Sequence, residues 1–258
     1  MNMKFVDTHA HLYLDKFGED IDDVVDRAIN SGVTTIYLPN IDENTISDLD
    51  ELNQRFPKVF KPMMGLHPCD VREDYEKQLQ VIHGHLSKGS YVAIGEIGMD
   101  LYWDKTSQGR QEEAFKIQCK WASDLNLPIA IHSRDATDEL IEILEANRQW
   151  NISGVFHCFT GTLEQAKRVI DLGFMLGIGG VVTFKNTTLR DVLMEVDLKH
   201  VVLETDSPFL APTPHRGKRN ESSYIPLIAQ TLAEIYQISL EQVAAETTNN
   251  ANHLFGTD

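Results

Sequence analysis

Six side chains of the kinds that bind divalent metal ions stand at the ends of apolar segments of this chain. They are His9, His11, Glu96, His132, His157 and Asp206. A polar side chain at the end of an apolar strand is costly unless something satisfies it. One or two divalent ions bound by all six would satisfy them together, and such ligands suit Zn²⁺, Mn²⁺ or Mg²⁺. The pattern therefore predicts a metal-dependent hydrolase.

Two of the six are also candidates for catalysis. His9 and His11 alternate along a strand, so both imidazoles can face the same side as ligands. Glu96 lies among apolar residues and glycines, and its two carboxylate oxygens could bridge two cations. Asp206 could hold one metal and accept a proton from its bound water, whose pKa the metal lowers toward ~7. We therefore predict catalytic roles for Glu96 and Asp206.

Several basic side chains are candidate substrate contacts. His67 ends the third apolar segment, where it either touches substrate or is an ordinary loop histidine. Arg134 ends the fifth and could hold a phosphate oxygen through charge-assisted hydrogen bonds. The HRGKRN segment, residues 215–220, contributes Arg216 and Arg219 to a basic cluster in a chain of net charge −16. We interpret it as a phosphate-binding lid, with a solvated charge run as the alternative.

Three other residues near these ligands each allow two interpretations. Glu204 precedes Asp206 by two residues, so it either orients a metal ligand or caps the interior of the fold. Tyr102 and Trp103 follow the fourth apolar segment. They either stack on a nucleobase or pack against the next helix.

The apolar segments indicate how these residues are positioned. Eight near-continuous apolar runs alternate with helical patterns, as in a buried parallel sheet. The runs recur at about the length of one βα unit, and 258 residues suit a TIM (β/α)8 barrel. An open doubly wound sheet is the alternative. The predicted ligands come from the first, fourth, fifth, sixth and eighth runs, and only a closed barrel joins the first to the eighth.

The chain carries no linker or repeat, which predicts a single domain over residues 1–258. The segment after Tyr236 predicts an extra C-terminal helix. Ser239 and Gln242 have the spacing of a capping box. Leu254 and Phe255 are expected to pack this helix against the barrel.

Composition narrows the class of protein. The chain is 42% hydrophobic and 24% charged, as soluble proteins are, and lacks the ~18-residue apolar run of a membrane span. Its start has no signal-peptide pattern. The three cysteines form no CxxC pair, which favours a reducing cytoplasm. The charge of −16 argues against a protein that coats nucleic acid, although metal ions and a local basic patch can make one cleft positive.

Seven short segments together resemble the TatD family of metal-dependent deoxyribonucleases, within the amidohydrolase-like barrels. In chain order they are DTHAHL, GLHP, GEIGMD, IHSRDA, FHCFTG, ETDSPFL and HRGKRN, between residues 7 and 220. The resemblance implies a TIM barrel with two divalent metal ions and 3′-to-5′ exonuclease action on DNA. It also implies that Glu96 replaces the modified lysine that many amidohydrolases carry on the fourth strand.

Three functions remain open from the sequence. The first is a deoxyribonuclease whose substrate is DNA, single-stranded or at 3′ ends, without a membrane or an obligate protein partner. The second is a metal-dependent deacylase acting on aminoacyl-tRNA or another small ester or amide. The third is a non-catalytic metal-binding protein, which we rank last because six ligands shared by two ions leave coordination positions open for water.

Overall fold

The computed structural model describes residues 3–256, in which eight strands alternate with helices. The strands are β1 (Phe5–Asp7), β2 (Val33–Leu38), β3 (Phe60–Pro62), β4 (Ile94–Asp100), β5 (Ile129–Arg134), β6 (Gly154–Phe156), β7 (Phe174–Ile178) and β8 (Val201–Leu203). The helices are α1 (Ile21–Asn30), α2 (Ile46–Arg55), α3 (Tyr75–Leu86), α4 (Gln108–Leu125), α5 (Thr137–Ala146), α6 (Leu163–Asp171), α7 (Leu189–Leu193), α8 (Ile225–Tyr236) and α9 (Leu240–Phe255). None of these helices is both long and apolar enough to cross a bilayer.

All strand pairs are parallel, and they form one three-stranded and one five-stranded sheet, β1 to β3 and β4 to β8. Two seams join the sheets. Beside β3, the Met64 amide donates to the Ala93 carbonyl at 3.1 Å. Between β8 and β1, the Thr8 amide donates to the Leu203 carbonyl at 2.9 Å. The sheets therefore close into a barrel, which confirms the TIM-barrel prediction and excludes the open doubly wound sheet.

The outer helices bury one apolar stripe each. In α1 the buried residues are Ile21, Val24, Val25 and Ala28, which is the spacing of one helical face. Ile29, at the edge of this stripe, is half exposed. The glycine after the helix, Gly32, adopts a left-handed φ of 93° and lets the chain turn into β2.

The extra C-terminal helix α9 closes the amino end of the barrel. Its predicted capping box is present: the Gln242 amide donates to Ser239 Oγ, and the Ser239 amide donates to Gln242 Oε1. Thr248 donates to the carbonyl of Lys4 just before β1. Phe255 is buried and stacks on Tyr37 of β2, with ring centroids 4.2 Å apart. The helix thus packs against the inward-facing apolar residues of the strands, as predicted.

Candidate metal centre

The six predicted ligands meet at the carboxyl end of the barrel. His9 and His11 follow β1, Glu96 lies in β4 and His132 in β5, and His157 and Asp206 follow β6 and β8. Parallel strands bring their carboxyl ends to one mouth, where barrel enzymes place their reactive groups. The closure of β8 against β1 is what brings Asp206 to the two histidines of the HxH pair.

Glu96 lies at the centre of this group, and its two oxygens face different histidines. Its Oε2 is 3.1 Å from His9 Nε2 and 3.3 Å from His11 Nε2. Its Oε1 is 2.9 Å from His132 Nδ1 and 2.8 Å from His157 Nε2. One carboxylate therefore separates two sets of imidazole nitrogens, which is the arrangement of a ligand that bridges two half-sites.

Asp206 completes the half-site of the HxH pair. Its Oδ1 is 3.7 Å from His11 Nε2 and 3.9 Å from His9 Nε2. The residue adopts a left-handed φ of 56°, a conformation that aspartate tolerates better than most residues. Its amide donates to the His9 carbonyl at 2.8 Å, and its carbonyl accepts from the Phe209 amide. The backbone contact with β1 thus fixes where the carboxylate points.

The ring of His11 is held from behind by Tyr13. The Tyr13 hydroxyl donates to the Pro39 carbonyl at 2.6 Å, so its oxygen is left to accept. His11 Nδ1, at 3.0 Å, must therefore carry the proton and donate to that oxygen. In the neutral ring, Nε2 then presents a lone pair to the centre, which is the form that binds a metal.

The ring of His132 is held in the same way by Asp100. His132 Nε2 lies 3.0 Å from Asp100 Oδ2. Burial by itself raises the pKa of Asp100, but hydrogen bonds from His132 and from two backbone amides outweigh it and lower the pKa to about 2. An ionised carboxylate only accepts, so Nε2 donates, and in the neutral ring Nδ1 presents its lone pair to the centre.

These proton positions provide a test of whether the residues fit a metal. The lone pair of His132 Nδ1 faces an acceptor, Glu96 Oε1, at 2.9 Å. In the neutral ring these two acceptors repel each other unless a cation lies between them. Burial by itself lowers the pKa of His132, but its hydrogen bonds to Asp100 and Glu96 outweigh burial and raise the pKa, so a second proton on the ring takes the place of that cation when no metal is bound. Imidazoles fixed from behind by a second polar group, together with bridging carboxylates, are typical of zinc and manganese sites. The donor set therefore fits divalent metal ions.

Neither Asp100 nor Tyr13 was among the candidates taken from the sequence, although a signal for both was present. Asp100 stands four residues after Glu96 on one strand, and Tyr13 stands two residues after His11. Alternate residues of extended chain share a side, so even spacings from a ligand point to residues that can support it.

Charge in this centre is strongly coupled. Burial alone would raise the pKa of Glu96, but the surrounding imidazoles, His157 and His9 first, hold that pKa well below its usual range. Burial lowers the pKa of His9, whereas for His157 the nearby carboxylates outweigh burial and raise the pKa. Burial also raises the pKa of Asp206 to about 6. Bound cations would favour ionised carboxylates and neutral rings instead.

The structure places the predicted substrate contact His67 beside Glu96. The Cys69 amide donates to His67 Nδ1 at 3.1 Å, so Nδ1 carries a lone pair. Burial lowers the pKa of His67, which keeps the ring neutral with its proton on Nε2. This Nε2 is 3.5 Å from Glu96 Oε1. His67 thus presents a hydrogen-bond donor to the centre, unlike the lone pairs of His11 and His132.

Glu204 lies directly behind His157. Its Oε1 accepts from the Cys158 amide at 2.6 Å and is 3.6 Å from His157 Nδ1. There is room for this carboxylate because Gly177 has no side chain: a Cβ there would come within 2.3 Å of Glu204 Oε2. The arrangement favours the interpretation that Glu204 orients a ligand over the interpretation that it only caps the barrel.

The two arginines of the HRGKRN segment lie in different surroundings. Arg219 donates to both oxygens of Asp20 at 2.7 Å and to Glu221 at 2.9 Å. This favours a role in holding the loop against α1 over the predicted role in binding substrate. Arg216 is exposed and lies 4.1 Å over the ring of Phe184. Within residues 3–256, no carboxylate oxygen comes within 4 Å of its guanidinium. Of these two arginines, Arg216 is the one whose donors stay open to a phosphate.

A parallel barrel whose carboxyl mouth gathers imidazoles and carboxylates around a bridging glutamate defines a metal-dependent hydrolase. The family model described as TatD related DNase matches residues 6–256. The chain therefore belongs to the TatD family, as its seven short segments indicated, and is a metal-dependent hydrolase of that family.

Relatives and solved structures cover almost the whole chain. It is 38% identical to "Uncharacterized metal-dependent hydrolase YabD" of Bacillus subtilis (strain 168), covering 96% of this chain and 98% of the relative. It is 31% identical to "3'-5' ssDNA/RNA exonuclease TatD" of Escherichia fergusonii, covering 97% and 98%. The crystal structure of YJJV, a TatD homolog from Escherichia coli K12, superposes with a TM-score of 0.93 at 29% identity, covering 100% of both chains.

Proposed function

We propose that this protein is a 3′-to-5′ exonuclease that hydrolyses phosphodiester bonds at the ends of single-stranded DNA. The observation that carries the proposal is the position of Glu96, whose two oxygens face separate sets of histidines. Two ions held on either side of one carboxylate are the arrangement used for in-line displacement at phosphorus. The relative from Escherichia fergusonii, whose name gives it 3′-5′ activity on ssDNA and RNA, supports the same reaction class.

The proposed ion positions follow from the half-sites. His9, His11 and Asp206 would hold one ion with Glu96 Oε2, and the remaining two histidines would hold the other with Oε1. Divalent ions at such a site lower the pKa of water toward ~7 and offset charge on the attacking and leaving oxygens. Zn²⁺, Mn²⁺ and Mg²⁺ are the candidates.

The two predicted catalytic carboxylates differ in their access to solvent. The side chain of Asp206 is 14% exposed, whereas that of Glu96 is 2% exposed. We therefore assign proton acceptance from the attacking water to Asp206 and bridging to Glu96. We also propose that the Nε2 proton of His67 donates to a substrate oxygen beside Glu96. Arg134, at the end of β5, is proposed to hold a phosphate oxygen through its guanidinium.

The proposed domain organisation and cellular location are those that the sequence predicted. We propose a single domain spanning the chain, because the strands and helices of residues 3–256 build one barrel. We also propose a cytoplasmic location, because all three cysteines are free thiols rather than disulfides.

The test is a comparison of substrates on one metal-defined enzyme. Protein stripped with a chelator is re-supplied with Mg²⁺, Mn²⁺ or Zn²⁺ and given single-stranded DNA, RNA of the same sequence and an aminoacyl-tRNA. We expect shortening of the DNA from its 3′ end with at least one metal and no turnover without metal. Deacylation of the aminoacyl-tRNA without cleavage of either oligonucleotide would contradict the nuclease function and support the deacylase function.

A further inference from the structure

Two adjacent aromatic rings stand exposed at the mouth of the barrel. Tyr102 and Trp103, in the loop after β4, are 54% and 71% exposed. Their rings meet edge to face, with centroids 4.9 Å apart. The guanidinium of Arg134 lies 3.9 Å over the ring of Tyr102 and 5.4 Å from that of Trp103. The rings therefore stack with Arg134 and leave most of the indole open, instead of packing against the next helix.

This aromatic platform is tied to the metal centre by one buried carboxylate. Asp100 Oδ1 accepts from the amides of Tyr102 and Trp103, at 3.0 and 3.2 Å. The other oxygen of the same carboxylate contacts His132 Nε2. The Asp100 side chain thus links the position of the platform to that of the ligand His132. A cavity of about 230 Å³ lies beside the indole and is lined by Asp100 as well.

The guanidinium of Arg134, beside the platform, is accessible to an anion. In residues 3–256, no carboxylate oxygen comes within 4 Å of the Arg134 guanidinium. This differs from Arg219, whose donors are taken by Asp20 and Glu221. A guanidinium over an aromatic face still has N–H groups that can bind a phosphate. An open ring with an unpaired cation beside it, in a chain of net charge −16, matches the chemistry of a nucleotide: a base to stack and a phosphate to neutralise.

We propose that Trp103, Tyr102 and Arg134 form a nucleotide subsite. A base next to the scissile phosphate stacks on Trp103, and Arg134 holds a phosphate of the same single strand. The proposal rests on the proposed nuclease function and deepens it, because it makes the substrate a polymer recognised through an unpaired base. Stacking accepts any base, so the subsite selects single strands over duplexes and does not select a sequence.

The test is a cycle of protein and substrate changes. The substrates are a single-stranded oligonucleotide and two versions with an abasic residue at the last or the next-to-last position. The proteins are the parent, Trp103→Ala, Trp103→Phe, and Phe209→Ala as a control exposed ring beside Asp206. Stacking on one aromatic side chain corresponds to a factor of ~5 or more in binding. We expect the parent to show a ~5–10-fold higher KM for one abasic substrate, at similar kcat.

The coupling between the two changes decides the outcome. Trp103→Ala should raise KM for the intact strand and remove the penalty of that abasic substrate, whereas Trp103→Phe and Phe209→Ala should keep the penalty. A parent without an abasic penalty, or a penalty that survives in Trp103→Ala or disappears in Phe209→Ala, would overturn the subsite while cleavage continued. If the parent cleaves no oligonucleotide with any of the three metals, the proposed function fails and the subsite fails with it.

Discussion

The two ends of the barrel differ in the polarity of the side chains that they bury. At the amino end, inward-facing apolar residues of the strands pack against α9, with Phe255 stacked on Tyr37. At the carboxyl end, imidazoles and carboxylates crowd together around Glu96 with contacts between 2.8 and 3.9 Å. Among residues 3–256, some buried atoms of this centre have no hydrogen-bond partner, for example His157 Nδ1 and Glu204 Oε2.

The amino end of the barrel therefore adds to the stability of the fold, and the carboxyl end lowers it. Burying an aromatic ring against apolar neighbours stabilises the folded state, whereas burying unpaired carboxylates and lone pairs opposes folding. The amino end buries apolar side chains, whereas the carboxyl end buries polar ones. Such a departure from apolar packing is expected at a functional site. Changes at the two ends should therefore separate activity from stability.

The largest effect is expected from Asp206→Asn. The substitution keeps the volume but removes the charge that a metal ligand and proton acceptor need, so activity should fall by ~10²–10⁴-fold or more. The metal-free variant should be as stable as the parent or more stable, because a buried carboxylate is gone. Activity assays with saturating metal and thermal unfolding with chelator measure the two effects. Full activity would remove Asp206 from the reaction.

At the opposite end, Phe255→Ala should affect stability and spare the reaction. Truncating a buried phenylalanine typically lowers the free energy of unfolding by ~3–5 kcal/mol. The neighbouring Leu254→Ala is the control and should cost less, because that side chain is only partly buried. Denaturant unfolding gives the stability, and kcat at low temperature tests the site. A large loss of kcat in folded Phe255→Ala would contradict the separation of the two ends.

Asp100→Asn tests how the carboxyl end is held. The amide preserves the shape but loses the charge that orients His132, and removing such support typically lowers metal affinity or activity ~10–100-fold. Asp104→Asn, which removes an exposed carboxylate from the same loop, is the matched control. Metal titration followed by calorimetry gives the affinity of both variants. Equal affinities in the parent and both variants would show that Asp100 serves only the loop.

The sequence predicted most of the barrel for a physical reason. A buried parallel strand needs a continuous apolar run, so eight runs with helical patterns between them indicate the fold, and polar residues at their ends indicate the mouth. Asp100 and Tyr13 were missed because their signal in the sequence is an even spacing from a ligand, which many residues that support no ligand share. The roles of Arg216 and Arg219 could not be separated, since the partners Asp20 and Glu221 come together only in the fold.

Those two arginines give a smaller effect at the rim of the mouth. Arg216→Ala should raise KM for an oligonucleotide a few-fold and flatten its salt dependence, because a phosphate contact releases counterions. Arg219→Ala should leave both quantities near the parent values and lower stability instead, because its donors are used by Asp20 and Glu221. Steady-state kinetics at two salt concentrations separate the variants. Identical effects of the two substitutions would restore the prediction of one phosphate-binding lid.

The smallest effect concerns the ion pair that anchors this loop to the start of α1. The hydrogen bonds from Arg219, and then from Arg27, lower the pKa of Asp20 from 3.8 to about 2. A depressed carboxyl pKa adds stability that is complete above the pKa of the unfolded state and is lost as the pH falls through the pKa of the folded state.

Because the pair of Asp20 and Arg219 is partly exposed, its contribution should stay below ~1 kcal/mol. Asp20→Asn should therefore lower the free energy of unfolding slightly at neutral pH, and the difference from the parent should shrink between about pH 4 and pH 2. Urea unfolding at stepped pH measures this difference. A gap between variant and parent that widened in acid would show that the pair does not anchor the loop in the way the contacts indicate.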